Sequence, residues 1–449
     1  MDTSDLYEAS LSKELGFPSS ESQDSMALSW LYSSTAGPVW TRNLNWMFGD
    51  PCTASWYGVH CNTIGSSNVR RIILEDNGLA GSFPSELGFL TALADALALP
   101  TNSITGTLPS ELGLITALNV GFDLYENSIV GNVPTQLGLM SGLEYVFGLY
   151  ENSITGTLPT ELALISGLNY AFGLNRNSLR GTLPTEFGLM KALTGAFDLN
   201  ENSFTGRCPT QFGLITGLMV HFDLDHNSLV GEVPTELGLI TGLTDYFDLY
   251  INSFSGPIPS QLTQMTRLIS GFNLQQNKLT GTMPTEIGCM TALEADFLIY
   301  SNYITGGIPS QIGRLGKMQR NLYLQSNALS KTLPTQLGQL TLLTELFLQS
   351  NALAGSLPTQ VMSVHAKKLL SSLKSRPHPQ PLTWGVGLRM SMEGTGRGLS
   401  WRSYTLLLSS ARNKQCLTLY THKVAVCVVC VYVCVCVCVC VARGPRWVR

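Results

Sequence analysis

Charge is scarce in this chain: Asp, Glu, Lys and Arg make up 13% of its 449 residues. Catalytic signatures are absent as well. No G-x-x-x-x-G-K-[ST], H-E-x-x-H, kinase H-R-D or D-F-G, or G-x-S-x-G occurs. An enzyme reading therefore has no constellation to stand on, and no motif calls for a cofactor or a metal. Residues 1–22, MDTSDLYEASLSKELGFPSSES, are acidic and carry no apolar h-region, so they do not read as a signal peptide. Either the protein is cytosolic or its true start lies upstream. Cysteine is sparse until the end: seven of the eleven lie from Cys416 onward. The net charge of −4 hides a division. Residues 1–361 hold 30 acidic and 14 basic side chains, giving −16, whereas 362–449 hold one acidic and 13 basic, giving +12. Such asymmetry marks either a basic tail or a segment of different history.

What is present is a period. Asn102, Asn127, Asn152, Asn177, Asn202, Asn227, Asn252, Asn277, Asn302 and Asn327 are spaced by 25 residues, with Asn77 one period earlier and Asn351 following after 24. Twelve copies at a fixed spacing imply a solenoid, whose units bury their apolar faces only by stacking on one another. In residues 118–134, LNVGFDLYENSIVGNVP, Phe122 and Leu124 are two apart, which places a short strand between them. Asn127 then turns the chain, and its amide is expected to bond backbone groups of the turn and of the next unit. Gly131 suits a backbone position with φ > 0, and Pro134 stiffens an extended return segment. Parallel strands stacked at ~4.8 Å would carry twelve units over ~55 Å.

The consensus L-x-x-x-F-x-L-x-x-N-S-[LI]-x-G-x-[LI]-P-[TS]-[EQ]-[LIF]-G resembles the plant-type leucine-rich repeat, including its L-x-G-x-[IL]-P segment. The resemblance covers 69–361. It implies an α/β solenoid: a right-handed leucine-rich-repeat superhelix with a parallel concave β-sheet, about 12 repeats and an N-terminal helical cap. Most units insert one residue before the Phe (Leu143 to Phe147, Leu168 to Phe172), as in algal and protist arrays, and the extra residue is expected to form a bulge. Residues 26–61 resemble the plant-type cap, with W-x-x-N-x-x-W at Trp40–Trp46 followed by P-C…W-Y-G-V-x-C. In that family the two cysteines, here Cys52 and Cys61, form a disulfide, which implies export. Cys208 and Cys289 stand where the repeats carry Leu or Val, and both read as buried apolar residues.

The resulting division is a disordered N-terminus at 1–25, the cap at 26–68, the solenoid at 69–361, a low-order basic linker at 362–423, a Val/Cys tract at 424–442 and a basic tail at 443–449. Three readings compete for the tract VAVCVVCVYVCVCVCVCVA. The preferred one is read-through of a non-coding (GT)n repeat. The second is a membrane span, since 19 uncharged residues followed by Arg443, Arg446 and Arg449 have the length and the flank. The third is a metal tract, which the C-x-C spacing disfavours.

Strand alternation nominates the ligand-binding residues of the concave face. One cluster is acidic: Asp198, His221, Asp223, Asp225 and Asp248, accompanied by Tyr246 and Tyr250. Adjacent carboxylates repel unless a basic ligand group or Ca²⁺ lies between them. An ordinary solvated acidic face is the preferred reading, so no metal ligand is assigned. The second cluster is aromatic: Tyr300, Tyr323 and Phe347 beside Leu298. Exposed aromatics on a polar sheet favour interfaces, or they cover the array's end.

The expected function is non-enzymatic recognition of a protein, peptide or glycan at the cell surface, with 424–442 as a candidate anchor and no nucleic-acid partner. A cytosolic scaffold is the first alternative. It draws support from the absence of N-x-[ST] sequons, because the repeat puts Ser directly after Asn. An exported inhibitor of a hydrolase is the second.

Overall fold

The computed structural model describes residues 22–62 and 68–355, together with the backbones of five strands within 385–441. The expectations for 1–21, for the cap at 63–67, for the end of the solenoid at 356–361, and for 362–384 and 442–449 lie outside these residues. Two compact units divide at Ser253/Phe254, and each is described by itself.

The first unit opens with the cap. Its helix, Gln23–Ser34, starts where Ser22 Oγ accepts from the Ser25 amide at 3.2 Å, so helix replaces the expected disorder over 23–25. The buried Asp24 reaches forward and accepts from the Val69 amide at 2.6 Å, tying the helix to the first repeat strand. Burial raises the Asp24 pKa, and that hydrogen bond works against the rise. Trp40, Trp46 and Trp56 fill the space behind the helix. Their ring centroids lie 4.8 and 4.9 Å apart, and every indole N–H donates to a backbone carbonyl. Cys52 and Cys61 are bonded, with a Cα–Cα distance of 5.7 Å.

Strand Val59–Cys61 runs antiparallel to Val69–Ile73. From there every neighbour is parallel: Ala96–Ala98, Gly121–Asp123, Val146–Gly148, Ala171–Gly173, Ala196–Asp198, His221–Asp223 and Tyr246–Asp248. The register advances by 25 residues at each step after Val69–Ile73. Phe122, Phe147, Phe172, Phe197, Phe222 and Phe247 therefore stack in one row, with centroids 5.5–5.9 Å apart and every ring fully buried. The inserted residue produces the expected irregularity. The amides of Val120 and Gly121 both donate to Asp95 O, and those of Tyr170 and Ala171 both donate to Tyr145 O.

The asparagines form the second row. Asn177 Nδ2 donates to Leu149 O, Leu174 O and Asn175 O at 3.0–3.2 Å, while its Oδ1 accepts from the Ile154 amide at 2.9 Å. Asn127, Asn152, Asn202 and Asn227 repeat the pattern. At the N-terminal end Asn77 bonds to the cap instead, accepting from the Arg42 amide and donating to Arg42 O.

Beyond each Asn a second parallel sheet runs through Val130–Asn132, Ser153–Thr157, Ser178–Thr182, Ser203–Arg207 and Ser228–Glu232. The proline of each L-P step then leads an extended chain into a five-residue 3₁₀ turn such as Ser110–Leu114. Gly113 lets successive turns close up: a Cβ there would lie 2.2 Å from Gln136 O of the following turn.

The second unit repeats the plan with strands Phe272–Asn273, Ala295–Leu298, Arg320–Tyr323 and Glu345–Phe347. Two expectations are corrected here. Cys208 in the first unit is buried, and burial pushes its thiol pKa up, but Cys289 in the second is exposed. Cys289 occupies the last turn position, where the leucines themselves face outward, as Leu164 does at 57% exposure. The tail also differs. Gly385–Thr395, Gly398–Ser410 and Asn413–Tyr420 are antiparallel strands, and Val424–Val431 pairs with Cys434–Val441. Alternating Val and Cys have the period of a strand, and β-branched Val favours one. Among the described residues no helix is long and apolar enough to cross a membrane.

Asn177→Ala removes all four bonds and strands one amide and several carbonyls, so it should cost about 2–4 kcal/mol in urea unfolding. Asn175→Ala, two residues away on the strand face, should change stability by less than about 0.5 kcal/mol. Ile251 is a β-branched residue held at φ 48°; Ile251→Asn should therefore stabilise by about 1 kcal/mol.

Candidate functional site

Because the register repeats, one strand position becomes one row. The position after each buried Phe carries Asp123, Gly148, Gly173, Asp198, Asp223 and Asp248 across the first unit. Two arrangements result.

The first is the acidic group named from the sequence. Asp198 and Asp223 pair in register, as do Asp223 and Asp248. Asp225 lies two residues beyond the end of strand His221–Asp223, and its amide donates to Asp223 Oδ1 at 3.0 Å. The expectation that these side chains are exposed needs correction: Asp225 is 2% and Asp248 7% exposed, and Asp198 and Asp223 are half-buried. Strands only ~4.8 Å apart leave little room for water between neighbouring side chains. Asp225 is held on two sides, by His226 Nδ1 at 2.8 Å and by the Tyr250 hydroxyl, which donates to it. Burial, and then the charge of Asp225, raises the Asp198 pKa to about 7. Asp223 is pushed much further, by burial and by the charges of Asp225 and Asp248. The Tyr250 hydroxyl is likewise driven well above its usual range by burial and its bond to Asp225. His221 and Tyr246 meet edge to face, 5.3 Å between centroids, at the rim. Burial lowers the His221 pKa, opposed by Asp245, so its ring is neutral at physiological pH.

The second arrangement was missed. Tyr125 and Tyr150 stack with centroids 4.4 Å apart and planes 7° from parallel, next to Asp123. Gly148 makes the space: a Cβ there would lie 2.2 Å from Asp123 Oδ1. That oxygen is sealed from solvent and receives no hydrogen bond. Burial, with Glu75 adding to it, raises the Asp123 pKa to about 7. The signal available in the sequence was the replacement of Asp by Gly at positions 148 and 173.

In the second unit, Tyr300, Tyr323 and Phe347 form a chain of rings with centroids 6.3 and 4.5 Å apart. All three are half-buried rather than exposed, and the Tyr323 hydroxyl donates to Glu345. On the turn side of this unit, Thr263 stands where other turns carry Gly. Next to it lies a shallow cavity of about 450 Å³ lined by Ser260, Thr263, Gln264, Glu286 and Cys289. Among the described residues only Asp223, Asp225 and Asp248 are grouped closely enough for three side chains to share a metal ion.

No family model matches the chain. No curated protein matches it either. Solved structures do. The crystal structure of PEPR1–AtPEP1 is 28% identical with a TM-score of 0.55, covering 76% of this chain and 53% of that one. The plant peptide hormone receptor RGFR1 in complex with RGF2 is 28% identical with a TM-score of 0.53, covering 66% and 54%. The chain thus spans about half the length of these two. A plant ice-binding protein is 22% identical with a TM-score of 0.52, covering 75% and 96%; at that identity the likeness concerns the fold alone.

Asp123 supplies a pH test. Its folded pKa, about 7, lies above the ordinary 3.8, so the stability it contributes is complete below pH 3.8 and is lost as pH rises to 7. Asp123→Asn should remove that part of the decline. Measured by thermal melts, the difference between variant and parent should grow across this interval and level off above it; a constant difference would refute the assignment.

Proposed function

We propose that this chain, a leucine-rich-repeat protein of the plant type, is a non-enzymatic recognition protein that binds a peptide along the strand face of its first compact unit. One observation carries the reading. Inward positions repeat the same Phe, Leu and Asn from unit to unit, while the three face positions taken together form a different set on each strand, although single residues recur between neighbours. Conserving the scaffold within the chain while varying one face is what recognition of an extended ligand requires, because each strand then meets a different part of it. Tyr125, Tyr150, His221, Tyr246 and Tyr250 supply rigid rings of the kind that dominate binding energy. The likeness to PEPR1–AtPEP1 and to the peptide hormone receptor RGFR1 supports a peptide rather than a glycan. The Cys52–Cys61 bridge supports an oxidising location outside the cell.

The test is capture from a defined library of extended peptides on the immobilised chain. Retained peptides should lose at least about tenfold in affinity on His221→Ala/Tyr246→Ala, a loss of 1.4 kcal/mol or more. Leu164→Ala, which removes an exposed side chain from the 3₁₀ turn Thr160–Leu164 and not from the strand face, should leave affinity unchanged. Failure to retain any peptide, or equal loss from both variants, would overturn the reading. Mass mapping of chain from its native source should find Cys52 and Cys61 joined; free thiols would favour the cytosolic scaffold.

A further inference from the structure

We propose that the turn side of the first unit binds an amphipathic α-helix of a partner protein, with large apolar side chains on the helix's inner face and Lys or Arg along one flank. This surface is separate from the strand face, so the proposal does not depend on the peptide reading.

Six successive 3₁₀ turns of the first unit, from Ser110–Leu114 to Thr235–Leu239, end on Leu114, Leu139, Leu164, Leu189, Leu214 and Leu239. All six are 43–57% exposed. A single exposed leucine is ordinary, but six in consecutive units form one apolar stripe, and stripes with a polar rim mark contact surfaces. The fold does not demand leucine here. The second unit carries Gln264, Cys289, Arg314 and Gln339 at the same turn position.

Spacing selects the partner's conformation. Turns set at about the strand spacing, ~4.8 Å, carry the stripe over ~24 Å. Side chains on one face of an α-helix recur every ~5.4 Å, so a helix laid along the stripe drifts from the leucines by only about 3 Å over its length. Side chains on one face of an extended chain recur every ~6.7 Å and would slip by about two leucines. A helix of about 16 residues covers the whole stripe.

Charge selects the flank. Side chains three apart in a 3₁₀ turn stand over one another. Glu111, Glu161, Glu186 and Glu236 therefore run alongside the leucines, with Gln136 and Gln211 completing the row. Each glutamate accepts from the hydroxyl of the Ser or Thr before it at 3.1–3.3 Å, which orients the carboxylate. Among the described residues, none of the four is in an ion pair. Oriented carboxylates beside an apolar row complement a helix with a basic flank, and they repel an anionic lipid surface.

The probe is a fluorescein-labelled helix of about 18 residues, made of leucine and lysine with leucine at every third or fourth position. It is titrated with the full chain and followed by anisotropy. Binding should saturate at one peptide per chain. Leu164→Gln/Leu189→Gln, which installs a residue the second unit holds at this position, should weaken binding at least tenfold. Leu214→Gln/Leu239→Gln repeats the test should the first pair lower the unfolding temperature. Glu161→Gln/Glu186→Gln should weaken binding severalfold and flatten its dependence on salt. Tyr145→Ala/Tyr170→Ala, which removes two exposed stacked rings outside the turns, should leave it unchanged. Three results would overturn the proposal: no saturable binding, equal binding of the same composition in scrambled order, or equal loss from the tyrosine pair. So would a dimer of the chain alone in sedimentation velocity, or flotation with phosphatidylcholine vesicles, that Leu164→Gln/Leu189→Gln abolishes. The stripe would then belong to a second copy or to a lipid surface.

Discussion

The side-chain amide that stands in for a backbone partner at every turn is the interaction on which this structure depends. Where the strand ends, the chain must reverse without a regular ladder, and buried carbonyls and amides are left over. Each Asn answers them for two units at once. It donates to carbonyls of its own turn and the preceding one, and accepts from an amide in the preceding unit. The Phe row adds apolar burial, but rings alone would tolerate slippage. The amide does not, because it has one place where all its partners lie within reach. The cap closes the same chain of bonds at its start, through Asn77 and Arg42.

A fixed register then decides the chemistry of the surface. Any residue type recurring at one repeat position becomes a row of neighbours at strand spacing, ~4.8 Å apart. Three successive aspartates after the Phe thus form a column of carboxylates that no isolated strand would bring together. Two successive tyrosines form a stack, and a glycine opens a hollow beside it. Burial and mutual repulsion raise the carboxyl pKa values in both places. The electrostatic strain of the acidic column is therefore a product of periodicity.

Much of the fold was legible, because the residues that build it repeat. Asn, Phe, Leu and Pro each recur in phase, and every copy casts the same vote for strand, turn and return. The inserted residue was legible for the same reason, and it appears as two amides sharing one carbonyl. Errors arose where a position had to be assigned a direction from its residue type alone. Cys289 was taken as buried because it replaced Leu, although the leucines of that turn position face outward. Asp225 and Asp248 were taken as exposed because they alternate with core residues, yet close-set strands enclose them between larger neighbours. Tyr125 and Tyr150 escaped notice because their stacking depends on the missing side chains at Gly148 and Gly173. The tail's period of two is that of the strands Val424–Val431 and Cys434–Val441, a pairing that none of the three readings of the Val/Cys tract had put forward.

The bonds from Asn177 back to the preceding unit make the array behave as a ruler. Whole units of 25 residues could be excised or duplicated in phase, and every remaining amide would find an equivalent partner. Each such edit would shift the residues on either side by one graduation, ~4.8 Å, without altering their orientation. A step of 24 is absorbed as well: Asn351 still donates to Leu324 O, Leu348 O and Gln349 O and accepts from the Leu329 amide, because the residue that is dropped lies ahead of the strand and not between the Asn and its partners. Length can thus be changed in steps at little cost, while fidelity resides in the bonds of a single residue type.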